Sequence, residues 1–205
     1  MENIIVVTFK IESQAYQAFS EIKRDPYSRS CIISQMVLVE KQNGQILPSE
    51  TFDTGVESGD DTFKGGLLGG LVGILGGPIG ILLGGSMGVL VGSFKDAVDV
   101  SRNTSLLEKV LESIRDGEIA LVAFVQETNQ NTFDSKLQPY DAQITRFEAV
   151  LIQEELEEAE LIHKEMEKRV RAEIRATKSK ERKEKTEEIR KKIKNHFTHV
   201  TKDFQ

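Results

Sequence analysis

Residues Lys64–Lys95 have the sequence KGGLLGGLVGILGGPIGILLGGSMGVLVGSFK, and this stretch decides how the rest of the chain can fold. It carries no charge between its two lysines, and glycine recurs every three or four positions. Pro78 follows two glycines near the middle, a combination that breaks a helix. The stretch therefore predicts a hairpin of two apolar helices, over about 65–77 and 79–93, with Pro78 at the turn.

The glycines of this run form two series with four-residue spacing. Such spacing places them along one side of a helix, where the absence of side chains lets two backbones approach closely. We expect the two helices to pack through these glycine faces, with leucine, isoleucine and valine on the outside. The first series is Gly65, Gly69, Gly73 and Gly77, and the second is Gly76, Gly80, Gly84, Gly88 and Gly92.

The sequence is compatible with more than one environment for the hairpin. Glycine disfavours a helix in water by about 0.8–1.0 kcal/mol relative to alanine, so lipid or a tight protein interface is expected around it. Helices of about 13 to 15 residues reach about 20–23 Å, less than the roughly 30 Å of a hydrocarbon core. A shallow or re-entrant membrane hairpin and a hairpin buried in an oligomer both fit. A flexible linker fits less well, because linkers lack so many branched aliphatic residues.

The segments on either side of the run have ordinary strand and helix patterns. Asn3–Phe9 is a β-branched run that predicts a buried strand, and ESQAYQAFSEIKR after it predicts an amphipathic helix. Ile32–Val39 leads through Asn43-Gly44, a type I′ turn signal, into a second strand. Beyond the run, the pattern predicts a helix capped by Thr104 or Ser105, the strand IALVAFV, a short helix or loop, and the strand AQITRFEAV.

The resulting order is β-α-β-β, the insertion, α-β and a short extra α-β. The predicted fold class is α+β: a ferredoxin-like β-α-β-β-α-β sheet domain with its helices on one side, an inserted glycine-zipper hairpin and a long C-terminal charged helix. Strands on both sides of the insertion share one sheet, so the insertion must leave the domain and return to it. The expected division is 1–63 and 96–149 for the two halves of the domain, 64–95 for the hairpin and 150–205 for the charged helix.

The C-terminal tail is predicted to be one long solvated helix. Between Glu154 and Phe197 there is no glycine or proline, and glutamate, lysine, arginine and alanine dominate. The first part is acidic and the next is basic, which allows antiparallel pairing, docking on an acidic surface or contact with anionic lipid. Two apolar patches are expected to pack: Leu156, Leu161, Ile162, Met166, Val170 and Ile174 form one, and Ile189, Ile193, Phe197 and Val200 form the other.

The residues that usually carry chemistry are sparse. The formal net charge of -6 gives no indication of nucleic-acid binding, and the single cysteine, Cys31, cannot form an internal disulfide. A catalytic thiol would need a histidine partner, which the domain region lacks. His196 and His199 would make at most half of a metal site. We therefore expect no enzymatic activity, no cofactor and no metal, and the sequence points to no known small molecule as a partner.

Four segments in this order resemble an uncharacterised bacterial family, the domain-of-unknown-function family 1269. They are NIIVVTF, the hairpin VLVEKQNGQI, the glycine-rich run and LLEKVLESIRDGEIALVAFV, and the resemblance covers roughly Ile4 to Glu148. It implies a split α+β domain with a glycine-zipper insertion, and it implies no known reaction or ligand. The charged tail is longer than the tails this resemblance implies.

These observations lead to a hypothesis about function. We expect a non-enzymatic, self-assembling structural protein that is anchored or oligomerised through the hairpin. Its expected partners are further copies of itself and membrane lipid, on the cytoplasmic side of the cell membrane or in the cytoplasm. The alternatives are a soluble homo-oligomer with the hairpins buried in its centre, a ferredoxin-like ligand-binding regulatory domain, and a pore-forming assembly.

Overall fold

The computed structural model describes residues 1–55, 66–84 and 105–200, and it divides the chain into the units Met1–Glu160 and Leu161–Gln205. The first unit contains a five-stranded antiparallel sheet together with helices, which confirms the α+β class. The strands are β1 (Glu2–Phe9), β2 (Cys31–Gln42), β3 (Gln45–Asp53), β4 (Ile119–Glu127) and β5 (Ala142–Glu148). The helices are α1 (Glu12–Arg24), α2 (Gly66–Leu75), α3 (Pro78–Gly84), α4 (Leu106–Glu112), α5 (Gln130–Leu137) and α6 (Ala149–Val200).

The sheet has the strand order β3-β2-β4-β1-β5, and each neighbouring pair is antiparallel. β1 lies between β4 and β5 and is buried on both faces. Ile4 and Val6 belong to the core on one face, and Ile5 and Val7 belong to the core on the other. This explains why the strand is a continuous β-branched run rather than an alternation of apolar and polar residues.

Helices cover both faces of the sheet, so the expectation of helices on one side is wrong. α1 and α5 pack on one face, where Phe19 and Phe133 are fully buried. α2, α3, α4 and the start of α6 contribute to the core on the opposite face, including Leu71, Leu111 and Leu156. The insertion supplies this second layer because its aliphatic side chains gain more by burial on an apolar sheet than by exposure to water.

The turn between β2 and β3 has the predicted geometry. Asn43 and Gly44 have φ angles of 52° and 78°, which a type I′ turn requires. The predicted strand IALVAFV is β4, which belongs to the same sheet as β1 and β2. It lies in the centre, between β2 and β1, and β5 forms the outer strand on that side. The short extra α-β, now α5 and β5, is therefore an integral part of the sheet domain.

The N-terminus of α4 is capped by a residue far away in the sequence. Ser105 is the N-cap, as predicted, and its hydroxyl accepts a hydrogen bond from the Leu107 amide. Glu155 of α6 also accepts from the amides of Leu106, at 2.9 Å, and Leu107, at 3.1 Å. This carboxylate ties α6 to α4.

Candidate self-association surface

The two sides of α2 have different surroundings. Leu67, Leu68, Leu71, Ile74 and Leu75 are buried in the core that lies on the sheet. Gly69 and Gly73 lie on the opposite side of the helix and are exposed. A Cβ atom added at Gly73 would meet no atom of the described residues within 4 Å. We call the surface formed by Gly69 and Gly73 the glycine face.

The contact that α2 makes through its aliphatic side is separate from the glycine contact that we predicted. We predicted that α2 and α3 would pack through glycines and carry their aliphatic side chains on the outside. The aliphatic side of α2 faces the sheet. The contact through Gly69 and Gly73 stays a prediction, because residues 85–93 of the expected second helix lie outside the described residues. Packing through the aliphatic side is favourable because it removes five large side chains from water. The glycine face has no side chain to bury.

The glycines at the turn make close contacts within the chain. α2 ends at Leu75 and α3 begins at Pro78, so Gly76 and Gly77 lie between the two helices. A Cβ atom at Gly76 would lie 2.6 Å from the carbonyl oxygen of Ile46 in β3, and one at Gly80 would overlap the carbonyl of Leu75. A Cβ atom at Gly77 would lie 3.1 Å from the Gly73 oxygen, and Gly84 ends α3. Gly65, Gly88 and Gly92 lie outside the described residues.

Two glutamine side chains fix the ends of α2 to the sheet. Gln35 of β2 accepts a hydrogen bond from the Leu68 amide at 3.2 Å. Gln45 of β3 donates to the Gly76 carbonyl oxygen at 3.0 Å. The sequence pattern did not identify either glutamine, because the backbone groups that they satisfy become visible only when the helix lies on the sheet.

The described helices of the hairpin are short. α2 has 10 residues and α3 has 7, which correspond to roughly 15 Å and 10 Å of helix. Nowhere in the part of the chain that the structure describes is there a helix with the length and apolarity needed to cross a bilayer.

The predicted tail residues differ in their burial. Leu156 is fully buried in the core of the first unit, and Ile162 is half-buried. Ile174 and Ile189 are 50% and 56% exposed, and Leu161 is 67% exposed, so the second unit does not bury these three within the chain. The side chains of Met166, Val170, Ile193, Phe197 and Val200 lie outside the described ones.

A buried polar cluster at one end of the sheet was not predicted. Glu127 of β4 is almost completely buried and accepts hydrogen bonds from Arg146 of β5 at 2.8 Å and from Asn3 of β1 at 3.0 Å. Arg146 also donates to Asp134 of α5. Two acidic partners therefore neutralise Arg146, and the cluster links β1, β4, β5 and α5.

Cys31 lies next to this cluster and is itself buried. It pairs with Glu127 in the register of β2 and β4. Burial, and secondarily the charge of Glu127, raise the pKa of the Cys31 thiol to about 11. The thiol is therefore protonated at neutral pH and is a poor nucleophile. Among the described residues, no three histidine, cysteine or acidic side chains come together as a metal site.

Comparison with known proteins gives one match. A family profile described as "Protein of unknown function (DUF1269)" matches residues 62–177, more than half of the chain. The match covers α2 through β5 and continues into α6, so it starts later and ends later than the resemblance suggested by the sequence. The first part of the charged tail is thus included in the family profile. No curated protein and no solved structure matches the chain.

Proposed function

Because the chain belongs to the family of proteins of unknown function DUF1269, whose description gives no activity, we propose a function from the geometry of α2. The protein is a non-enzymatic, self-assembling protein whose copies associate through the glycine face. One observation carries this proposal. The aliphatic side of α2 is buried in the chain's own core, while Gly69 and Gly73 are exposed and no described atom lies within 4 Å of a Cβ added at Gly73.

An exposed face of glycines needs a physical reason. Each glycine on a solvent-facing helix costs about 0.8–1.0 kcal/mol relative to alanine. Alanine would fit at position 73 without a clash with any described residue, so the packing of the described part of the chain does not require glycine there. A second backbone in close contact with this face does require it, because only glycine lets two helices approach so closely.

The proposed partner is the same face of a second copy. The hairpin from Gly66 to Gly84 contains no charged residue, so two copies brought together there would not repel each other. An isologous contact of this kind closes as a two-fold dimer. Small residues on both sides would allow van der Waals contacts and Cα–H···O contacts between the two backbones.

We also propose membrane association as a second candidate function. The uncharged run from Gly65 to Phe94 favours it, because a segment of this hydropathy gains free energy on entering a lipid environment. Lipid would then share the hairpin surface with the second copy. Flotation of the full chain with vesicles tests this: recovery in the lipid layer supports the second candidate, and recovery at the bottom of the gradient contradicts it.

The strand order supports a finer proposal about the fold. β1-α1-β2 and β4-α5-β5 each connect two strands that have one other strand between them, and α1 and α5 pack on the same face. We propose that these two units form the ferredoxin-like β-α-β-β-α-β arrangement. In this proposal β3, α2, α3 and α4 are inserted between β2 and β4, and the glycine-zipper hairpin is part of that insertion.

Sedimentation velocity of the full chain and of Gly73→Leu tests self-association. The monomer can accommodate a leucine at position 73 because nothing lies within 4 Å of a Cβ atom there, whereas the same side chain would hold two glycine faces apart. We expect the wild type to associate as its concentration rises, and Gly73→Leu to associate at least about tenfold more weakly. Ala172→Leu, which adds similar bulk to an exposed position of α6, is the matched control. Equal association of all three proteins would contradict the proposal.

A further inference from the structure

The two outer strands of the sheet differ in how they are protected against pairing with another strand. β3 and β5 form the two edges. An exposed edge carries unpaired backbone N–H and C=O groups, and proteins usually block it with proline, charges or an irregular register. A comparison of the two edges therefore indicates which one is open to a partner.

The β3 edge carries several of these blocking features. Pro48 lies within the strand and has no N–H to donate. The pairing of β3 with β2 shifts register between Leu38 and Val39, and the exposed side chains of β3 include Glu50 and Asp53. A regular ladder with a further strand is disfavoured at this edge.

The β5 edge lacks the proline and the register shift, and its exposed charge, Glu148, lies at the last position of the strand. Its seven residues pair with β1 in an unbroken register, from Asn3 with Glu148 to Phe9 with Ala142, and they include no proline. No backbone hydrogen bond from any other described strand or loop reaches residues 142–147. The charge of Arg146 does not block the edge, because Glu127 and Asp134 already satisfy it within the chain.

Exposed apolar side chains follow this edge directly. Val150 and Leu151 are 58% and 41% exposed and lie in the first turn of α6, immediately after β5. A strand added along β5 would bring protein surface within reach of this turn. Burial of these two side chains would then add to the backbone hydrogen bonds.

We propose that β5 pairs with β5 of a second copy, antiparallel and in a two-fold arrangement that joins two sheets. A full overlap of Ala142–Glu148 with itself is centred on Thr145. In this register Glu148 faces Ala142 and Arg146 faces Ile144, so no like charges lie opposite each other. The inference goes beyond the proposed function, because it assigns a second interface that does not use the hairpin.

Oxidative cross-linking of full-length Thr145→Cys tests the pairing. Directly opposed residues of antiparallel strands have Cα atoms about 4.5–5.5 Å apart, within the range that a disulfide bridges. Thr51→Cys, an exposed threonine on the β3 edge, is the matched control, and buried Cys31 is common to both proteins. We expect Thr145→Cys to form the cross-linked dimer at least about tenfold faster. Equal rates would overturn the proposal.

A charge exchange at the same position supplies a test that does not depend on a disulfide. Thr145→Lys alone and Thr145→Glu alone would place like charges opposite each other and weaken the pairing, whereas their mixture would restore it. Each variant alone should have a lower average molar mass in solution than the wild type. If mixing the two variants does not restore that molar mass, the proposal is overturned. Cross-linking through position 145 should be unchanged by Gly73→Leu. A failure of the proposed β5 interface can therefore be distinguished from a failure of the proposed glycine-face interface.

Discussion

At the scale of single residues, Gly73 and Gly76 show that neighbouring glycines can have opposite roles. A Cβ atom at Gly73 would point into open space, whereas one at Gly76 would lie 2.6 Å from the carbonyl oxygen of Ile46. Backbone atoms cannot move aside as a flexible side chain can. A side chain at position 76 would therefore disturb the packing of the chain, whereas no described residue would obstruct one at position 73.

Alanine substitutions at these two positions should change stability in opposite directions. We expect Gly73→Ala to raise the free energy of unfolding of the dissociated chain by up to about 1 kcal/mol, because alanine is the better helix former. Gly76→Ala should lower it by at least about 1 kcal/mol, because β3 and the turn must separate. Urea unfolding at low protein concentration measures both values. Destabilisation by Gly73→Ala would show that position 73 is enclosed within the chain.

Cys31 makes stability depend on alkaline pH. Burial holds the pKa of the thiol at about 11 in the folded chain, above its ordinary value of 9.0. The resulting stabilisation is complete below pH 9 and is lost as the pH rises through 11. Between pH 8 and pH 10, the wild type should lose about 1 kcal/mol more of its unfolding free energy than Cys31→Ala does. Parallel curves of unfolding free energy against pH for the two proteins would contradict the raised pKa of Cys31.

At the scale of elements, α4 depends on α6 for its N-terminal cap. Glu155 accepts hydrogen bonds from the Leu106 and Leu107 amides and from the Ser105 hydroxyl. Glu155→Ala should therefore lower the free energy of unfolding by about 1–2 kcal/mol. Glu154→Ala is the matched control, because its side chain is exposed, and it should change stability by less than about 0.5 kcal/mol. Equal effects of the two substitutions in chemical denaturation would exclude Glu155 as a cap.

Local sequence patterns predicted the strands, turns and caps well because each of these features is determined by neighbouring residues. The β-branched run at Asn3–Phe9, the Asn43-Gly44 turn and the Ser105 cap each depend on a few adjacent residues, and all three are present. Non-local contacts were not predictable in the same way. The carboxylate of Glu155 and the side-chain amides of Gln35 and Gln45 act on segments that are distant in sequence, where no periodicity marks them.

The hairpin shows the main limit of sequence reasoning in this chain. Four-residue glycine spacing correctly indicates a helix side without side chains, but it does not say what that side faces. The buried aliphatic side of α2 faces the sheet because the sheet offers an apolar surface within the same chain. We therefore propose that the contact through the glycine face of α2 forms between copies.

At the scale of the whole molecule, two separate interfaces would permit extended assembly. The glycine face of α2 and the β5 edge are each proposed to pair with themselves. Either contact alone joins two copies into a closed dimer. A molecule that uses both contacts binds a different partner through each, and repetition of the two contacts produces an open chain of copies. Gly73→Leu and Thr145→Lys, each alone, should reduce such chains to dimers, and the double variant should be a monomer by light scattering. A double variant that remains a polymer would show that a third contact is involved.

The rate at which a thiol reagent labels two positions of α2 tests whether this helix is buried through its aliphatic side and associates through its glycine face. The variants are Leu71→Cys and Gly73→Cys, each with Cys31→Ala, in the full-length protein. Leu71 is 1% exposed and Gly73 lies on the exposed side of the helix. We expect slow labelling at position 71 at every protein concentration, and we expect labelling at position 73 to be fast in dilute protein and slow in concentrated protein. Fast labelling at position 71, or a rate at position 73 that does not change with concentration, would contradict these expectations.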